Sequence, residues 1–107
     1  MYARITTIHS PRERMNKGIE EVRKDVLPLM REVEGFRGLV GLVDRRSNMG
    51  LTISLWDSED AMQESEDVGD QLRAKAAAAM KAETEPMVNR YEVVLYEVET
   101  PQAAPTG

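Results

Sequence analysis

Thr52, Ser54 and Trp56 stand two residues apart near the end of one extended segment, so a strand there carries all three on the same face. The hydroxyls of Thr52 and Ser54 can hydrogen-bond a carbonyl or a phenol, though small and β-branched residues also fit a strand on shape alone. Trp56 is equally suited to closing the end of a sheet above the helix that follows it. His9 is the single histidine. Its ordinary pKa of ~6.5 suits a general base, while a histidine ending a strand also serves as a surface or capping group. Arg73, on a later helix, can hold an anionic oxygen or lie in solvent along its aliphatic stem. Tyr91 sits beside Asn89 and Arg90 on the last strand, where it reaches either a pocket or a second copy of the chain. Met62 belongs to a set of methionines, with Met15, Met30, Met80 and Met87, that falls mainly on helical segments and reads as core.

Composition removes several classes of chemistry. The 107 residues suffice for one domain, and the formal charge of −5, from 14 basic and 19 acidic side chains, opposes nucleic acid binding. With no cysteine, the chain has no disulfide, zinc–thiolate site, iron–sulfur cluster or thiol nucleophile. A single histidine leaves no multi-histidine metal site within one chain. Seven acids and no base lie between Asp57 and Asp70. They lack the D-x-D-x-D-G pattern of a calcium loop and read as a solvated helix start. There is no Gly-rich phosphate loop, G-x-S-x-G elbow or H-E-x-x-H pair. No apolar run approaches membrane length and Met1-Tyr2-Ala3-Arg4 is not a signal peptide, so a cytoplasmic protein free of membrane is expected.

These candidates depend on the elements that position them. Tyr2 to His9 reads as a strand. Ser10-Pro11 starts a helix over Arg12 to Glu34, with Met15, Ile19, Val22, Val26, Leu29 and Val33 forming one apolar stripe. Pro28 falls inside it and predicts a kink near Lys24 to Pro28. Gly35 suits a left-handed turn. Phe36 to Asp44 is a second strand whose Gly38 and Gly41 suggest a bulge or a close approach. A polar turn, Arg45 to Asn48, joins it to a third strand, Met49 to Trp56. That strand has no charge on either face, so both faces should be covered, one of them by something more polar. Asp57 or Ser58 caps the next helix. Gly69 is expected to interrupt it, and Gln71 to Ala82, rich in alanine, to continue it. Thr84-Glu85-Pro86 ends that helix. Met87 to Glu99 is a long final strand, and Pro101 to Gly107 a flexible tail.

The order β-α-β-β-α-β predicts an α+β, ferredoxin-like domain over 2–99, with a four-stranded antiparallel sheet, helices on one face and a tail at 100–107. Apolar residues on the other face predict sheet-to-sheet packing of a homodimer, with the long last strand reaching across to the partner.

Two short motifs then carry a resemblance. Glu34-Gly35-Phe36-Arg37-Gly38 resembles the P-G-F-x-G turn, and Trp56-Asp57-Ser58-Glu59-Asp60-Ala61 the W-E-S-x-x-A junction, of antibiotic biosynthesis monooxygenase-like proteins. The closing Tyr91-Glu92-Val93-Val94 strand also fits, and the resemblance follows the element order from about residue 2 to 99. It implies a dimeric α+β barrel and, in one branch, cofactor-independent oxidation of a small aromatic or polyketide-like phenol by O2. Trp56 would stack on a flat ring, and His9 would be the residue available to take its proton. Thr52, Ser54, Met62, Arg73 and Tyr91 would contact the small aromatic ligand. The chain departs from that branch at two places: Thr52 replaces an Asn four residues before the Trp, and Met62 a Tyr six residues after it. The same resemblance leaves open a dimer that binds a ligand without chemistry. It disfavours haem degradation, which uses a helix Trp and a helix His that this chain lacks.

Overall fold

The computed structural model of the chain describes residues 1–79, 81–82 and 85–99. The expected helix end at Thr84, the core role of Met80 and the tail at 100–107 lie outside the described residues. Strand β1 (Tyr2–His9) leads to helix α1 (Arg12–Glu21), a π-helical turn (Val22–Val26) and helix α2 (Leu27–Met30). Strands β2 (Phe36–Asp44) and β3 (Met49–Trp56) form a hairpin; helices α3 (Glu59–Glu64) and α4 (Glu66–Ala79) and strand β4 (Met87–Glu92) complete the fold. The sheet runs β2-β3-β1-β4, antiparallel throughout. This is the ferredoxin-like arrangement that the element order implies.

The kink is a π-helical turn immediately ahead of Pro28, which lacks the N–H an α-helix would use there. A π turn inserts about one extra residue per turn and so shifts the phase of the apolar stripe. Val26 and Met30 are therefore buried, and Leu29, expected in the stripe, is exposed. The helical run also ends at Met30, short of Glu34. A turn follows in which Gly35 has a φ of +84°. A Cβ on Gly35 would stand 2.5 Å from the Cβ of Ala61, so glycine is required there twice over. The register of β2 slips between Phe36 and Gly38, the bulge that a strand glycine suggested.

Gly69 does not break the second helical region. The break falls at Ser65, whose hydroxyl donates to the Met62 carbonyl at 2.6 Å and so competes with helix continuation. Gly69 lies within α4 and faces Arg4. The last strand is also shorter than expected. Its pairing with β1 stops at Tyr2–Glu92, and, among the described residues, 93–99 pair with no strand, Val93 N–H donating to the Met1 carbonyl. All the helices pack on one face of the sheet, around a core of Ile8, Met15, Val26, Met30, Trp56, Met62, Leu72 and Ala76. Among the described residues no helix is long and apolar enough to cross a membrane.

Candidate functional site

Strand alternation and register decide which side chains meet the helices. In β1 these are Tyr2, Arg4, Thr6 and Ile8; opposite them in β3 are Trp56, Ser54, Thr52 and Gly50. Phe36, Leu39, Gly41 and Val43 of β2 complete this face. The helices do not fill the space above it. A cavity of about 310 Å³ lies between the sheet and α1, walled by Thr6, Thr52, Gly41, Leu39, Ile19 and Leu27 among others. A smaller one, about 50 Å³, shares Thr6, Ile8, Val22, Leu39 and Thr52 with it and ends at Arg4, Ser54, Gly69 and Arg73. The π-helical turn borders both, through Val22 and Arg23 on the larger and Val22 and Val26 on the smaller.

Thr52, Ser54 and Arg73 therefore come together on the cavity walls. Trp56 does not line them. It is 1 % exposed and packs edge-on against Phe36, ring centroids 5.6 Å apart. Its Nε1–H donates to the Ser54 hydroxyl at 2.9 Å, and the Arg4 guanidinium carbon lies 5.5 Å from its ring centroid. The indole thus holds two wall residues from behind. Met62 is likewise core, and its carbonyl accepts from Arg4. His9 pairs with Met49, and alternation puts it on the face away from the helices with Ala3, Ile5 and Thr7. Tyr91 is on that same face and is exposed.

Arg4 is the residue that sequence reading passed over. It is 3 % exposed, on a strand position between Tyr2 and Thr6 that faces inward. Its Nη2 donates to the Met62 carbonyl at 2.6 Å and to the Ser65 hydroxyl at 2.9 Å, and lies 3.1 Å from the Glu66 carboxylate. Its Nε is buried with no hydrogen-bond partner. Burial pushes the Arg4 pKa down, Glu66 pulls it back up, and Arg73 and Arg90 add to the downward push. Glu66 in turn takes a two-pronged bond from Arg90, at 2.7 and 2.9 Å. Arg90, and then Arg4, hold the Glu66 carboxyl below its usual range against the opposing effect of burial. Arg73 pairs with Asp70 and also keeps a buried, unpartnered Nε. One sequence signal could have found Arg4: the inward set Tyr2, Arg4, Thr6, Ile8 carries one charge, and an inward charge on a covered strand needs partners.

No family model matches the chain. Two curated Mycobacterium tuberculosis proteins, Rv2557 and Rv2558, both named as uncharacterized, are 35 % and 36 % identical to it over 77 residues, 72 % of this chain. The chain spans about a third of the length of these relatives. Solved structures match nearly all of it. A Streptomyces coelicolor monooxygenase from the gene ActVA-Orf6, in complex with nanaomycin D, superposes with a TM-score of 0.74 at 16 % identity over 92 % of both chains. A Bordetella bronchiseptica protein described as a candidate antibiotic biosynthesis monooxygenase gives 0.69 at 17 % identity, over 88 % of this chain and 97 % of its own. The M. tuberculosis haem degrader MhuD, with two haems bound, gives 0.67 at 18 % identity, over 92 % of this chain and all of its own. These neighbours include both a monooxygenase and a haem degrader, and what they share with this chain is its architecture: the chain has the antibiotic biosynthesis monooxygenase-like fold.

Proposed function

We propose that the chain is a cofactor-independent monooxygenase that oxidises a small, flat aromatic or polyketide-like phenol with O2. The observation that carries this reading is the larger cavity between sheet and helices, apolar except for Thr6, Thr52 and Arg23, in a fold shared with a monooxygenase. In the reaction a methylene beside the phenolic ring loses a proton, and the resulting carbanion adds O2. The second proton then leaves as the O–O bond breaks. One oxygen becomes the new carbonyl and the other departs as water, so O2 is the only oxidant required. Thr52, Ser54 and Arg73 hold the substrate oxygens, and Trp56 acts as a positioning residue through Ser54 and Arg4.

A second reading, a dimer that binds such a ligand without turnover, is favoured by one feature. Among the described residues the two cavities are walled by no carboxylate and no imidazole, so no wall residue is an obvious proton acceptor. Haem chemistry fits less well, because no His, Cys or Tyr axial ligand stands on those walls. Both favoured readings share a homodimer. Val40, Leu42, Met87 and Tyr91 are exposed on the sheet, and Val94, Leu95, Tyr96 and Val98 on the segment beyond it. Sheet-to-sheet packing with a second copy, the last segment reaching across, would cover them.

Oxygen uptake with a panel of anthrones and hydroquinones separates the readings. Gly41→Leu is the informative variant. A Cβ there meets nothing within 4 Å, so the added side chain occupies the cavity without disturbing the strand. Uptake above the spontaneous rate, abolished in Gly41→Leu and reduced in Trp56→Phe, is the expected result. Saturable binding lost in Gly41→Leu, with no uptake in any variant, supports the binding dimer. Uptake indifferent to Gly41→Leu places the chemistry outside this cavity.

A further inference from the structure

The ionisable side chains on the cavity walls are all arginines: Arg23 at the larger cavity, Arg4 and Arg73 at the smaller. Around Arg4 and Arg73 the charge does not balance. Arg4, Arg73 and Arg90 face Glu66 and Asp70 through the contacts described above, three positive groups against two negative, a net charge of about +1. Arg90 and Asp70 reach solvent, whereas Arg4 and Arg73 are 3 % and 13 % exposed, and cationic charge held that far from water is costly unless something answers it. Both Arg4 and Arg73 also hold a buried Nε with no partner.

Gly69 is what lets the two guanidinium groups approach. A Cβ at that position would stand 2.8 Å from Arg4 Nη1 and 3.7 Å from Arg73 Nη2. The bare helix surface at Gly69 is therefore the floor on which both cations meet. Hydroxyls surround them: Thr6 and Thr52 on the shared wall, and Ser54, whose Oγ accepts from Trp56. This supplies forked donors, hydroxyls and excess positive charge at the end of an apolar slot. We infer that Arg4 and Arg73 form a receptor for an ionised oxygen acid, and that the ligand of this cavity is an aromatic compound bearing a carboxylate or an ionised phenol at one end.

Arg4 has a structural duty as well, since its Nη2 binds the junction of α3 and α4. That duty and the Glu66 pair are both carried by Nη2, which leaves Nε unpartnered. A planar guanidinium suits a two-oxygen acid better than an ammonium, because it offers parallel donors. The inference rests on the cavity being the ligand site, and it adds the charge of the ligand.

The test compares 1-naphthoate with its neutral counterpart, 1-naphthamide, against the full chain at fixed salt. Binding is followed by calorimetry and by the fluorescence of Trp56, the single tryptophan, whose ring adjoins Arg4. The expected result is that naphthoate binds at least tenfold more tightly than the amide. In Arg4→Met and in Arg73→Met the preference should fall toward unity while the amide still binds. Equal binding of acid and amide to the unaltered chain overturns the inference and leaves the cavity reading standing. A preference that survives in both variants also overturns it. Failure of both compounds to bind overturns the cavity reading and the inference with it. The acid–amide comparison needs no variant, so a failure of Arg4→Met to fold does not shield the idea.

Discussion

The two faces of the one sheet each hold residues that run against the usual distribution of polarity, beside Ile8, Trp56 and Phe36 on the covered face and Thr7 and His9 on the other. The face covered by helices carries Arg4, Thr6, Thr52 and Ser54, a buried cation and three hydroxyls, beneath Glu66 and Arg73. The face without helices carries Ile5, Ile53 and Val40, with Met87 and Tyr91 exposed at its edge. A monomer built only to fold would place these sets the other way round, because buried charge is expensive and exposed aliphatic surface wasteful. Each face therefore looks made for something the lone chain does not supply. The covered face, with its cavities and arginines, suits a small polar-ended ligand. The open face suits another protein surface, and a second copy presents one of matching shape and chemistry.

The largest expected effect that tests this contrast is on Arg4. Arg4→Met leaves the Glu66 carboxylate half-buried with Arg90 alone, and removes the bonds that tie the α3–α4 junction to β1. Breaking a buried pair from one side costs about 3–5 kcal/mol, measured here by urea unfolding. If Arg4→Met costs no more than a substitution on the open face, the covered face does not depend on its buried cation and the contrast fails.

A smaller effect appears with pH. The folded-state pKa of Glu66 is lowered, first by Arg90, so its contribution is fully present above the unfolded value of ~4.3. That contribution is lost as the pH falls through the lower folded value. The unaltered chain should thus lose stability below about pH 4.3, and Glu66→Gln should lose less over the same interval. Urea midpoints at neutral pH and at pH 3 make the comparison. Parallel curves for the two proteins would mean that Glu66 is not held ionised by its arginines.

The strands were legible because alternation and turn residues set them locally. The boundaries of β1, β2 and β3 follow from Tyr2 to His9, Phe36 to Asp44 and Met49 to Trp56 as read in the chain. Errors arose where a distant residue decides the outcome. Gly69 looks like a helix breaker locally, yet its missing side chain makes room for Arg4, 65 positions earlier in the chain. Leu29 leaves the buried stripe, while Met30 is core as read, because the π turn before Pro28 shifts the helix phase, which a fixed period of 3.6 cannot show. At the site, Thr52 and Ser54 were visible from their spacing. Arg4 was missed although alternation puts it in one set with Thr6 and Ile8; its partners Ser65 and Glu66 lie about 60 positions away and only the fold brings them to it.

The smallest effect on the chain's own stability, and the sharpest test of the open face, is expected from Val40→Glu. Val40 lies on edge strand β2 opposite Ile53 and is 44 % exposed, so a carboxylate there remains in water in a single copy. The cost to the isolated fold is at most about 1 kcal/mol, the span of strand preference. In a sheet-to-sheet dimer the same carboxylate is buried twice, once from each copy, among aliphatic residues and without a cation. Sedimentation should therefore find a dimer for the unaltered chain and a monomer for Val40→Glu. Dilution gives the stricter form of the comparison. Association stabilises only the folded state, and its contribution falls with protein concentration. The gap in unfolding midpoint between the two proteins should then be wide at high concentration and close to within that ~1 kcal/mol as both are diluted. A gap independent of concentration would mean that the face serves the fold of the single chain, and the asymmetry between the two faces would then need a cause other than a second copy.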